Sequence, residues 1–133
     1  MKPDPDQLVQ ALADPTRLRA VVLLSHEPSL CVCELTVALA VSQPKMSRHL
    51  AALRAQGIVE DGRVATFVFY RLHPRLPAWA RGVVDQLARG LTHSHELAAA
   101  RRRLAAFPNR PRERDAFAPC GADAASEGAA HAV

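Results

Sequence analysis

Apolar residues return every third or fourth position through the first half of the chain and every second position just after Gly57, so helices give way to strands there. Leu8, Val9 and Leu12 form a first short stripe, which predicts a helix over residues 7–13 capped by Asp6, with Pro3 and Pro5 outside it. Asp14-Pro15 is a stronger start: the aspartate suits the N-cap and the proline the first turn, where no N–H is missed. The helix behind it carries Leu18, Val21, Val22 and Leu24 and ends near Ser25-His26, before Pro28. It is apolar on most sides, which places it in the core. Residues 30–53 fit two short helices broken at Ala40-Val41-Ser42. In the second, Ser42 is the cap, Pro44 lies in the first turn, and Met46, Leu50 and Leu53 make one buried stripe that Gly57 terminates.

Residues 58–61 and 66–72 then alternate as the strands of a hairpin, with the turn at 62–65 and Val68, Tyr70 and Leu72 on its core face. From residue 76 to about 104 a single long helix is predicted, with Pro77 in its first turn and Trp79, Val83, Leu87 and Leu91 on one stripe that Val84 widens. Such a helix would be roughly 40 Å long, more than a small domain can cover. Its stripe is therefore expected to meet a second subunit, together with Leu8 and Leu12 of the first helix. From residue 106 onward Pro, Arg, Ala and Gly leave little to bury, so 1–105 is expected to be one domain and 106–133 a disordered tail.

The order of these elements predicts a mainly α fold with a small β-hairpin: a winged helix-turn-helix, homodimeric through its terminal helices. On the helix behind Ser42, the residues Gln43, Lys45, Ser47, Arg48 and His49 lie off the buried stripe near the N-terminus. Amide, hydroxyl and guanidinium groups at the front of an exposed helix suit base edges and phosphates in a major groove. A hairpin directly after it is a wing, and Arg63 at its tip is placed to meet a phosphate or the minor groove. An ordinary amphipathic surface helix and a solvated turn arginine would leave the same pattern.

Charge permits an anionic partner without requiring one: 17 Lys and Arg against 13 Asp and Glu give a net +4 over 133 residues. Arg101-Arg102-Arg103 reads as a solvated helix end. Three cysteines are too few for a disulfide framework. MKPDPDQL lacks the apolar stretch of a leader, and no apolar run approaches the ~18 residues of a membrane span. A reduced, cytoplasmic chain without a membrane partner is expected. No nucleophile, base and oxyanion set converges, so an enzyme is not expected. A Cys-x5-Arg loop fails as well, because Val37, Leu39 and Ser126 stand where its arginine belongs.

Cys31 and Cys33 stand where the third helix should begin. A helix N-terminus lowers a thiol pKa, and soft centres prefer thiolate sulfur. Small, inert, buried cysteines are the alternative. Residues two apart point about 200° away from each other on a regular helix, so two bonds to one centre would require the first turn to distort. The same helix braces the next through the Ala40–Ser42 turn, which would carry that distortion to the recognition helix.

The segments DPTRLR, LCVCEL, SQPKMSRHLAALRAQGIV and YRL followed by PAW stand in an order that resembles the ArsR/SmtB family of metal-sensing repressors, in its arsenic-responsive form. The resemblance covers residues 14 to about 85. It implies a homodimer that represses transcription from double-stranded operator DNA without a cofactor. It further implies release from that DNA when As(III) or Sb(III) binds Cys31 and Cys33. One departure matters: the family's arsenic site adds a third cysteine three residues after the second, and Thr36 stands there. Cys120 is a candidate third ligand, but free thiols, hydroxide or the Thr36 hydroxyl could fill the position as well, and Cys120 is expected to be dispensable. The zinc pattern of relatives fails because Gln86-Leu87 follow Asp85, which leaves His93, His95 and Glu96 as solvated residues. Two other readings stand beside this one. The first is a thiol redox repressor using the same cysteines, although a disulfide across one residue is strained. The second is a helical dimerisation adaptor with no DNA role.

Overall fold

Side-chain caps mark the start of every described helix but the one at Ala78–Gly90 in this computed structural model, which describes residues 3–108 together with Arg110 and Phe117. Asp4 rather than Asp6 opens α1 (Pro5–Leu12): its carboxylate accepts the Gln7 N–H at 2.8 Å, and the Gln7 amide oxygen accepts the Asp4 N–H at 3.1 Å. Pro5, expected outside the helix, is its first residue, where a missing donor costs nothing. Asp14 caps α2 (Pro15–His26) through the Arg17 N–H at 3.0 Å, and residues 20–24 of α2 are buried all round. In α3 (Val32–Leu39) and α4 (Gln43–Ala55) the expected break holds, with Ala40 at φ 55° turning the chain and Ser42 capping α4. Met46, Leu50 and Leu53 are fully buried, as their spacing predicts.

The sheet has three antiparallel strands in the order β1-β3-β2: β1 (Leu30–Cys31), β2 (Val59–Val64) and β3 (Phe67–Leu72). β1 was not foreseen, since two residues cannot display an alternation. It sets Leu30 against Tyr70 and Cys31 against Phe69. β3 lies between its neighbours and is met by both α2 and α3, so Phe69 is buried as well as Tyr70 and Leu72, while Val68 is only half-buried. The hairpin is also longer than expected. β2 continues through Gly62 and Arg63, paired with Phe69 and Val68, and the turn shrinks to Ala65-Thr66, with Ala65 at φ 55°. Arg63 is thus a strand residue beside the tip, not the tip itself.

The single long closing helix is corrected to two, α5 (Ala78–Gly90) and α6 (His95–Ala106). Gly90 weakens the end of α5. Thr92 Oγ donates to the Arg89 carbonyl at 2.8 Å, and Ser94 Oγ accepts the Leu97 N–H at 3.2 Å to start α6. Pro77 is the N-cap of α5 rather than a first-turn residue. The break lets α6 fold back on α3, where it buries Leu97, Ala100 and Leu104. Arg103, expected in solvent, donates its Nε to the Ala38 carbonyl at 2.9 Å, near the C-terminus of α3. Nearly all of the expected tail lies outside the described residues.

The expected partner-facing stripe divides. Leu8 and Leu12 are 1% and 8% exposed and belong to the core of this chain, which corrects their assignment to an interface. Their neighbour Val9 is 66% exposed instead. Trp79 and Val83 stand open on α5, whereas Leu87 and Leu91 pack partly against the chain's own core. Among the described residues no helix is long and apolar enough to cross a membrane.

Asp14 makes the start of α2 sensitive to pH. Partial burial pushes its carboxyl up, but the Arg17 N–H and the charges of His49 and Arg17 outweigh this and hold it below its ordinary range. A depressed carboxyl stabilises the fold above its unfolded pKa and ceases to do so as pH falls through the folded value. Asp14→Asn keeps a capping acceptor and removes the charge. It should cost up to about 1 kcal/mol at neutral pH, and its gap from the wild type should close as pH falls below about 3.9. Urea unfolding of the two proteins across that range is the measurement; a gap that stays constant with pH contradicts the assignment.

Candidate functional site

Gln43, Lys45, Ser47 and Arg48 are exposed on α4, and Arg63 is exposed on β2 near the tip of the wing. His49 does not join them. Its Nδ1 lies 3.3 Å from Arg17 Nη1 and its Nε2 lies 3.8 Å from Asp14 Oδ2, with 14% of the side chain exposed. It ties α4 to the start of α2, which corrects its assignment to the DNA face. Arg54 is engaged too, in a 3.0 Å pair with Asp61. Lys45 and Arg48 therefore carry the open positive charge at the front of α4.

The thiol pair sits at a junction of strand and helix. Cys31 ends β1 and is the N-cap of α3, with extended backbone at φ −82° and ψ 164°. Cys33 lies in the first turn. Because Cys31 stands outside the helix, the opposed directions of two helical side chains do not apply. The sulfurs are in bonding contact, with Cα atoms 5.4 Å apart. The expectation that α3 must unwind to bring them together is thereby corrected. Cys31 Sγ takes the place a serine or threonine oxygen usually has in a capping box: it accepts the Glu34 N–H at 3.4 Å, while Glu34 Oε1 accepts the Cys31 N–H at 2.8 Å.

Cys31 is buried and Cys33 half-buried. Thr36, at the position of the missing third cysteine, donates its hydroxyl to the Cys33 carbonyl at 2.7 Å. Among the described residues no group of three or more His, Cys, Asp or Glu is gathered as a metal site. Cys120 lies outside the described residues.

The two cysteines open on a cleft of about 290 Å³ whose other walls are Gln43 and Ser47 of α4 and Thr66, Phe67, Val68 and Tyr70 of the wing. Burial pushes the Tyr70 phenol up, Asp61 adds to the shift, and Arg54 and Arg63 oppose it, so Tyr70 is a neutral wall of the cleft. This meeting of thiols, recognition helix and wing was not legible beforehand, because the β1–β3 pairing creates it. Glu34 was also missed, although Cys-x-x-Glu has the spacing of a capping box. Its second carboxylate oxygen takes the Arg110 guanidinium from 76 residues away, a pairing with no local signal. Burial lowers the Arg110 pKa, but Glu34, followed by Glu27, more than reverses this and keeps the guanidinium charged.

Residues 14–61 match the family described as bacterial regulatory protein, arsR family. The arsenic resistance transcriptional regulator ArsR1 of Pseudomonas putida is 46% identical over 109 residues, 80% of this chain and 82% of that protein. The arsenical resistance operon repressor of Escherichia coli is 52% identical over 82 residues, 62% of this chain and 70% of its own. Among solved structures, HlyU from Vibrio cholerae superposes with a TM-score of 0.59 at 32% identity, covering 65% of this chain and 90% of that one. With relatives that are regulators rather than enzymes, this chain belongs to the arsR family of DNA-binding bacterial regulatory proteins.

Proposed function

We propose that the chain is a homodimeric repressor that binds operator DNA and leaves it when As(III) or Sb(III) is captured by Cys31 and Cys33. The observation that carries this reading is the meeting of the two sulfurs in a cleft walled by α4 and the wing. The arsenic resistance names of the relatives above support the choice of ligand. With both thiols reduced, arsenous acid exchanges two hydroxyls for two sulfurs. Two As–S bonds form, two As–O bonds break, two waters leave, and arsenic stays trivalent. Cys33, the more exposed thiol, makes the first bond and Cys31 closes the chelate. Hydroxide or a small thiol completes the third position, and Cys120 is not needed there.

A centre seated between the sulfurs occupies the cleft that Gln43 and Ser47 share with Phe67 and Tyr70. It presses on the recognition helix and the wing directly, a shorter route than one through the Ala40–Ser42 turn. DNA contact falls to Gln43, Lys45, Ser47 and Arg48 in the major groove and to Arg63 on the wing. The partner subunit covers Trp79 and Val83, the exposed large apolar residues of α5. One observation also favours a thiol redox switch, the contact between the sulfurs. Oxidant added without metalloid separates the two readings, because only a redox switch releases DNA under that condition.

Three measurements test the proposal. Cys31→Ser or Cys33→Ser should keep operator binding and lose release by arsenite, while Cys120→Ser keeps both. Fluorescence anisotropy of labelled operator reads this, and a Cys31→Ser, Cys33→Ser double variant that still releases DNA refutes the sensing role. Arg48→Ala should weaken DNA binding with the dimer intact. A lost phosphate contact lowers the salt dependence by about one ion, whereas a lost base contact costs roughly 1–3 kcal/mol at one position. Unchanged affinity and salt slope would remove Arg48 from the interface. Replacing Trp79 and Val83 with Glu should give monomers in sedimentation and abolish tight operator binding; a variant that remains dimeric overturns this face.

A further inference from the structure

Glu34 is the one charged side chain that is buried among the described residues, at 2% exposure. One of its oxygens accepts the Cys31 N–H at 2.8 Å, and the other takes the Arg110 guanidinium. Arg110 lies beyond α6 and also reaches Glu27, next to the end of α2, at 3.5 Å. A buried carboxylate is costly to leave without its cation, so the place of the Glu34 side chain depends on Arg110. The line of contact is short: guanidinium, carboxylate, Cys31 amide, Cys31 sulfur. The Glu34 N–H closes on the same sulfur at 3.4 Å, so residue 34 holds Cys31 from both its side chain and its main chain. Arg103 grips the other end of α3 through the Ala38 carbonyl.

We infer that Arg110 is a positioning residue for the thiol pair: it fixes Glu34, and through Glu34 it fixes Cys31, in the orientation in which Cys31 and Cys33 take one trivalent metalloid together. The inference rests on the metalloid reading of that pair. Among the described residues the ion pairs of Arg110 are with Glu27 and Glu34 and none is with α4 or the wing, so its effect belongs to sensing rather than to DNA contact. Groups that orient a metal ligand without touching the metal typically change affinity by about 10- to 100-fold.

The test uses the full, reduced chain as wild type, Arg110→Ala, Arg110→Lys, and Arg110→Ala combined with Glu34→Gln. Arsenite uptake is followed by the near-ultraviolet absorbance of the sulfur–arsenic bonds, operator affinity by anisotropy without metalloid, and hydrogen exchange at the Cys31 and Leu50 amides by NMR. Arg110→Ala should bind arsenite about tenfold more weakly or worse, with faster exchange at Cys31. Exchange at Leu50 and operator affinity should match the wild type. Lysine should restore part of the loss. So should Glu34→Gln in the double variant, which leaves no unpaired buried charge and keeps an acceptor for the Cys31 N–H. Arsenite affinity equal to wild type in Arg110→Ala overturns the inference alone. Loss of Leu50 protection and operator affinity in step with arsenite affinity overturns it too, by reducing Arg110 to general stabilisation. A wild-type chain that takes up no arsenite removes the metalloid reading itself, and the inference with it.

Discussion

The backbone of Cys31 serves two elements at once. It closes the last pair of β1 against Phe69 and then, still extended, caps the first turn of α3. Everything near the cleft follows from that double duty. The strand pairing carries the start of α3 to the wing, and the extended cap lets a side chain two residues from Cys33 turn back toward it. A helical conformation at Cys31 would aim the two sulfurs apart and break the sheet pairing in the same step. The capping box then holds the arrangement from within α3, with sulfur in the role usually given to oxygen.

The helix-turn-helix was largely legible from its punctuation. Asp14-Pro15, Ser42 and Gly57 are strong local signals, and the residues between them repeat at helical spacing, so α2, α3 and α4 end close to where they were expected. The long closing helix was misread for a related reason: the apolar spacing of Trp79, Val83, Leu87 and Leu91 runs on through the stop that Gly90, Thr92 and Ser94 impose. Periodicity outweighed caps in that reading, and the caps won in the fold. His49 shows a different limit. It shares a polar face with Arg48 in sequence, and only the approach of Asp14 and Arg17 from α2 takes it away from solvent. The thiol pair itself was visible, but its cleft was not, because a two-residue strand leaves no pattern to read.

Breaking the closing helix also redistributes labour. α5 keeps Trp79 and Val83 open, while α6 is committed to the chain it belongs to, lying along α3 with its apolar residues turned inward. A helix continuous from 78 to 106 would have left α3 bare on the side α6 now covers. The α3 helix is thus bounded by the sheet at its start, by α4 through the αL turn at Ala40, and by α6 along its length.

The connection between β2 and β3 is two residues long, which makes the wing intolerant of a particular kind of evolutionary change. Side chains alternate faces along a strand, so inserting a single residue at Ala65-Thr66 and letting β3 slip would exchange the faces of Phe67, Val68, Phe69 and Tyr70 together. Phe69 would leave the core, Tyr70 would leave the cleft, and the partners of Leu30 and Cys31 would change at the same time. Natural length variation in this hairpin is therefore expected to come as loops that grow outward from the tip without moving the strand register, and hardly ever as a shift by one.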